Sequence, residues 1–181
     1  MIQTPPEAQV TGAADHSVAL PTRCGMTLHV RPVVAEDEPV MAALFAALSP
    51  EDLRYRFLSA IRQVDPARIH AMTRVDHDRT ESFLAYAEGE AVATAMLAID
   101  EDGVQGEVAV VVRSDLKGHG IGWAMLDHLL RHARARGLKA VRSIEAGDNV
   151  GTIALEREMG FSVRQDECAH EMIATRPLAG A

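Results

Sequence analysis

The sequence predicts one mixed α/β domain built around a single sheet, not a regular βαβ alternation. Three observations predict it. Phe83 to Ala87 and Ala91 to Ile99 are apolar runs separated by Glu88-Gly89-Glu90, which reads as an antiparallel hairpin. Glu107 to Val112 reads Glu-Val-Ala-Val-Val-Val, too continuously β-branched for a half-exposed strand and therefore expected to be central in its sheet. Ile121, Met125, Leu129 and Ala133 recur at a helical spacing with Leu126 and Leu130 beside them, and Gly137 closes that helix.

Taken in order, residues 1–24 are rich in Ala, Thr, Gly and Pro without periodicity and are expected to form a flexible tail. The domain is expected over residues 25–176, with a short C-terminal tail at 177–181. Met26 to Val33 alternates apolar and polar residues as a first strand, and Glu36 to Leu48 reads as a helix opened by acidic residues. Ser49-Pro50 caps a second helix carrying Leu53, Phe57 and Leu58, and Pro66 starts a short third through Ile69 and Met72. The hairpin follows, then a turn from Asp100 to Gly106, then the β-branched strand. Beyond the long helix come a strand from Leu138 to Ala146 and a helix that Asp148 or Asn149 can cap, running to Met159 and ended by Gly160. Phe161 to Val163 and Ala169 to Thr175 supply two last strands.

Composition narrows the function. Of 181 residues, 48% are hydrophobic and 24% charged, an ordinary globular balance. The net charge of −8 lacks the basic footprint that phosphate backbones demand, and 4% aromatic residues offer few platforms for stacking bases, so no nucleic-acid partner is expected. Cys24 and Cys168 belong to no paired motif, so no disulfide framework or zinc site is expected. With no apolar span and no basic start followed by an apolar run, the expectations are a cytoplasmic protein and no membrane partner. His128 and His132 stand four apart, a spacing able to bind metal, but without a third ligand they read as a solvated face beside Arg131 and Arg134. No metal is expected.

The informative stretch is Lys117-Gly-His-Gly-Ile-Gly122, which leads from the β-branched strand into the long helix. Helix starts leave N–H groups unpaired and carry partial positive charge, so a diphosphate can sit there if side chains stay clear. Gly118, Gly120 and Gly122 clear that space, and no acidic residue stands between Lys117 and Met125. A dinucleotide fingerprint would need a small residue where Trp123 stands, and the Gly-Lys-Ser/Thr ending of a triphosphatase loop is missing. Glycines alone can also serve only a tight turn.

This stretch resembles the Arg/Gln-x-x-Gly-x-Gly/Ala signature of the GNAT family of N-acetyltransferases, with Lys in the place of Arg or Gln. The resemblance runs from about residue 26 to 175. It implies a mostly antiparallel sheet of about six or seven strands flanked by helices. It also implies acetyl-coenzyme A as co-substrate, its pyrophosphate on the main chain of Lys117, Gly118, His119, Gly120, Ile121 and Gly122. Its pantetheine arm would pair with the strand near Val110 and Val112 and touch Asn149. Leu53-Arg-Tyr-Arg-Phe-Leu58, Val75-Asp-His-Asp-Arg79 and the Glu107 strand resemble the Pat-like protein lysine acetyltransferases of that family, in which the strand glutamate is the base.

The chemistry sets its own demand. A lysine amine with a pKa of about 10.4 is mostly protonated near neutrality and must lose a proton before it attacks. Glu107 is the acid in the strand, and partial burial would raise its pKa toward the range a base needs; the alternative is a strand-end glutamate facing water. N–H groups near Val110 to Val112 could stabilise the developing oxyanion. The family's usual proton donor to the thiolate is a Tyr on the helix after the Asn, and Gly151 to Met159 contains none. Tyr55 and Tyr86 lie elsewhere, so the donor is water or another residue, or none is needed given a thiol pKa of about 8.5. Asp76 and Asp78 fit either the acceptor side or a turn; a small amine would use the same machinery as a protein lysine, and a non-catalytic module that binds acyl-coenzyme A is the alternative class.

Overall fold

The computed structural model describes residues 17–167 and 171–178, so Cys168 and the expected strand start at Ala169 lie outside the described residues. Among the described residues eight strands form one sheet: β1 (Val18–Pro21), β2 (Thr27–Pro32), β3 (Thr80–Ala87), β4 (Glu90–Ile99), β5 (Gln105–Val112), β6 (Ala140–Ala146), β7 (Ser162–Gln165) and β8 (Glu171–Pro177). Their order is β1-β2-β3-β4-β5-β6-β8-β7. Every neighbouring pair is antiparallel except β5 with β6. The mixed fold expected from the sequence is the one observed, and the β-branched β5 lies inside the sheet between β4 and β6.

Five α-helices lie among the described residues: α1 (Glu38–Ala46), α2 (Pro50–Phe57), α3 (Pro66–Thr73), α4 (Ile121–Ala135) and α5 (Val150–Glu158). The Ser49 hydroxyl accepts from Asp52 N–H and the Asp65 carboxylate accepts from Ala67 N–H, so α2 and α3 start where a cap precedes Pro. Two buried clusters fix the layers. Leu84 and Val111 pack with Met41, Leu44, Phe45, Leu53 and Ile69 on the α1–α3 face. Val108 and Val141 pack with Ile121, Met125, Leu129 and Ala133 on the α4 face. Successive strand residues alternate faces, so in β5 Glu107 shares the α1–α3 face with Val111, while Val110 and Val112 share the α4 face with Val108.

Three expectations are corrected. The sheet begins at Val18, inside the stretch expected to be a tail: β1 pairs with β2 from Val18↔Val30 to Pro21↔Thr27. Only Leu20 of this strand is buried, so it carries no readable alternation. At the other end, β8 runs to Pro177 and Leu178 is buried, its N–H bonded to Lys139 O at 2.7 Å, so the fold continues past 176. His128 and His132 are not a solvated face. Their rings stand edge-on to Phe83 at 4.7 and 5.3 Å, and both Nε2 atoms are buried without a hydrogen-bond partner. The buried arc of α4 is wider than the stripe read from Ile121 to Ala133. Asp76 caps a turn: its Oδ1 accepts from the N–H groups of Asp78, Arg79 and Thr80.

Candidate functional site

The parallel pairing of β5 with β6 ends at Glu107↔Arg142. Beyond it β5 continues against β4 to Val112, and β6 continues against β8 to Ala146. The two strands part, and a cleft of about 490 Å³ opens between them, within the range of sites that hold organic ligands. Arg113 N–H bonds Val92 O across to β4, so by alternation the amide groups of Val110 and Val112 face the gap, where no strand satisfies them.

The mouth of the cleft is the glycine turn. Gly118 and Gly120 have φ of +80° and +77°, in the left-handed region that side chains disfavour. A Cβ on Gly118 would meet nothing within 4 Å, whereas one on Gly122 would meet Val112 and Leu155 at 3.7 and 3.8 Å. Helix α4 starts after Gly120 with no side-chain cap and no acidic residue in its first turn. Its opening N–H groups therefore meet open space with the partial positive charge of the helix behind them, a cradle that fits a diphosphate.

Both flanks of the turn are braced. The Lys117 ammonium is bonded to the buried Asp52 carboxylate, which also accepts from the hydroxyls of Ser114 and of Ser49, the latter at 2.9 Å. Ser49 N–H in turn bonds Ser114 Oγ at 2.8 Å. Opposite, the β1–β2 turn folds over the glycines: Cys24 Sγ lies 3.8 Å from Gly118 O, and the Arg23 guanidinium pairs with Glu158 and stacks on Trp123 at 4.3 Å.

Of the residues singled out from the sequence, Glu107, Val110, Val112, Lys117, Gly118, Gly120, Ile121, Gly122 and Asn149 all line this one cleft. His119 does not; its Nδ1 stays 3.1 Å from the carbonyls of Leu116 and Lys117. Glu107 is 43% exposed at its side chain, with Arg142 Nε at 3.5 Å from its carboxylate, so its burial is only partial. Asn149 stands at the N-cap position of α5, but its side chain makes no capping bond; its Nδ2 donates to Glu145 Oε2 at 2.8 Å.

The structure adds cleft residues that the sequence reading did not place there. Tyr55 and Arg56 of α2 enter the cleft wall, and Arg56 feels the charges of both Glu107 and Glu145. Ser143 and Glu145 of β6 and Glu156 of α5 form its inner side, with the Ser143 hydroxyl bonded to Glu156 Oε1. Burial, with the Glu156 charge added, pushes the Glu145 carboxyl up to about 8, and burial pushes Glu156 up to about 7. The sequence signal for Glu145 is its parity: Val141, Ser143 and Glu145 alternate onto the α4 face, so an acid falls at an inward strand position.

A family model described as the acetyltransferase (GNAT) family matches residues 45–161. An acetyltransferase of Pseudomonas aeruginosa is 27% identical over 147 residues, 78% of each chain. The GNAT domain of S. lividans PAT shares the fold with a TM-score of 0.84 at 22% identity, covering 92% of this chain and 99% of that one. A ribosomal L7/L12 alpha-N-protein acetyltransferase in complex with coenzyme A has a TM-score of 0.72 at 15% identity, covering 88% and 98%. The chain belongs to the acetyltransferase (GNAT) family and is an N-acetyltransferase that uses acetyl-coenzyme A.

Proposed function

We propose that the chain acetylates a primary amine, a protein lysine in the first instance, by direct attack on acetyl-coenzyme A with Glu107 as general base. The observation that carries the reading is the parting of β5 from β6 at Glu107, with the glycine turn at the far end of the same strand. In this reading the α4 N–H groups and the main chain from Lys117 to Gly122 take the pyrophosphate. The gap-facing amides of Val110 and Val112, with Asn149, take the extended arm. Lys117 is held by Asp52, so its part is to fix the turn as much as to lend charge.

Glu107 suits a base at the acceptor side. It is on the α1–α3 face, half-exposed, and reachable by an amine arriving from solvent. Arg142 beside it keeps the carboxylate oriented. When the amine is deprotonated and attacks, an amide N–H of β5 facing the gap supports the oxyanion, worth on the order of 100-fold in rate for a well-placed donor. The lysine reading is supported by the motifs at Leu53–Leu58 and Val75–Arg79, and by the acidic surplus of the chain, whose net charge of −8 favours cationic acceptors.

Thiol release from acetyl-coenzyme A, measured across lysine peptides, free amino acids and small amines, tests the acceptor. In the best pair, Glu107→Gln lowers kcat by about 100-fold or more while leaving coenzyme A affinity nearly intact. Unchanged turnover in that variant removes Glu107 from the mechanism.

A further inference from the structure

Two carboxyls of the cleft wall, Glu156 buried and Glu145 half-buried, are not used by the chemistry above. Glu156 is 2% exposed; its Oε1 accepts from Ser143, and its Oε2 is buried with no hydrogen-bond partner. Glu145 stands next to it in the cleft wall, with Oε2 accepting from Asn149 and its other oxygen making no hydrogen bond among the described residues. The buried Glu156 Oε2 without a donor is costly as a carboxylate, and a charge on Glu156 beside Glu145 disfavours a second one there. Position matters as much. Glu145 is on the α4 face of the parted strands with the glycine turn, whereas Glu107 is on the α1–α3 face. The cleft thus has one carboxyl on each side of the gap, one toward the acceptor and one toward the cradle.

We infer that Glu145 donates the proton to the departing thiolate, with Glu156 behind it as the positioning residue that keeps Glu145 protonated. The inference rests on the acyl-transfer reading above. The amine lone pair forms the C–N bond, the C–S bond breaks with its electrons going to sulfur, and the Glu145 proton moves to that sulfur. The remaining excess N–H proton leaves to solvent, and Glu145 is reprotonated from water. The charged groups acting on Glu145 are Glu156 from α5 and Arg56 from α2. Its strand partner on β8, Met172, does not titrate, and Asp148 in the following turn is paired with Arg54. Asn149 fixes the carboxyl by donating to Oε2, a bond that by itself favours the charged form and is outweighed by burial and the Glu156 charge.

Carboxyl NMR of the unliganded chain and the pH dependence of kcat test this. Glu145 is expected to titrate near pH 8, and in Glu156→Gln, where the neighbouring charge is gone, at lower pH. Glu145→Gln keeps an acceptor for Asn149 but has no acidic proton. It is expected to lose the alkaline limb of the kcat profile and about 100-fold in kcat, with the KM for acetyl-coenzyme A and the Tm close to wild type. Wild-type kcat with an unchanged alkaline limb overturns the inference, as does a fall in kcat matched by a rise in KM with the limb in place. If Glu145→Gln does not fold, Glu156→Gln decides: the limb must move to lower pH, and an unmoved limb overturns the inference. Glu107→Gln acts on the acid limb, so failure of the base and failure of the donor are read separately. Should no amine be acetylated, the acyl-transfer reading fails, while a Glu145 that titrates in the ordinary carboxylate range overturns the donor by itself.

Discussion

The Lys117 ammonium is bonded to the Asp52 carboxylate, and this contact ties the glycine turn to the first turn of α2. Burial would raise the Asp52 pKa, but the hydrogen bonds from Lys117, Ser114 and Ser49 outweigh it and hold the carboxyl below its ordinary value. The stability from this lowering is present above the ordinary Asp pKa and is lost as pH falls through the lowered one. Asp52→Asn is expected to cost about 1–2 kcal/mol in urea denaturation near neutrality, the low part of the range because Lys117 is half-exposed. The variant should also lose less stability than wild type on acidification, and its KM for acetyl-coenzyme A should rise.

The two turn glycines should respond differently to a methyl group. Gly118→Ala meets open space and pays only left-handed backbone strain, about 1–2 kcal/mol. Gly120→Ala adds a Cβ 3.1 Å from Arg23 N, so the β1–β2 turn must move as well. Thermal denaturation should rank Gly120→Ala as the less stable. Calorimetry should find weaker coenzyme A binding in both, since both methyls narrow the cradle.

Arg31 and Asp37 make a two-pronged pair at 2.7 Å for each bond, extended by Tyr86 Oη at 2.9 Å from Arg31 and Val34 N–H at 2.8 Å from Asp37. Asp37 is buried, so Asp37→Ala leaves the guanidinium without its partner and is expected to cost about 3 kcal/mol. None of these residues lines the cleft, so kcat per folded molecule should be unchanged. A loss of kcat at unchanged stability would contradict this separation.

His128 supplies a pH dependence of stability. Burial first, then the charges of Arg131 and His132, lower its pKa to about 4 from an ordinary 6.5. Between these values the unfolded chain takes up a proton that the folded one refuses, so stability falls as pH drops from 6.5 toward about 4 and this contribution is complete above 6.5. His128→Leu should flatten that part of the curve, measured as urea midpoints across the same pH range. A curve of unchanged slope would place the titrating group elsewhere.

What the sequence determined by itself is local. The strand, glycine turn and helix from Glu107 to Ala135 are legible because β-branching, positive-φ glycines and helical periodicity act within a few residues of one another. Ser49-Pro50 and the Ala87–Glu90 hairpin turn are legible for the same reason. Only the tertiary structure decided where β6 leaves β5, because an alternation pattern says which face a residue takes and not which neighbouring strand is missing. Only it gave Lys117 a partner at Asp52, brought β1 onto the sheet through one buried leucine, and set Glu145 beside Glu156. Charge and protonation depend on solvent and on neighbours through space. An inward-facing glutamate therefore declares its chemistry only once the fold has closed around it.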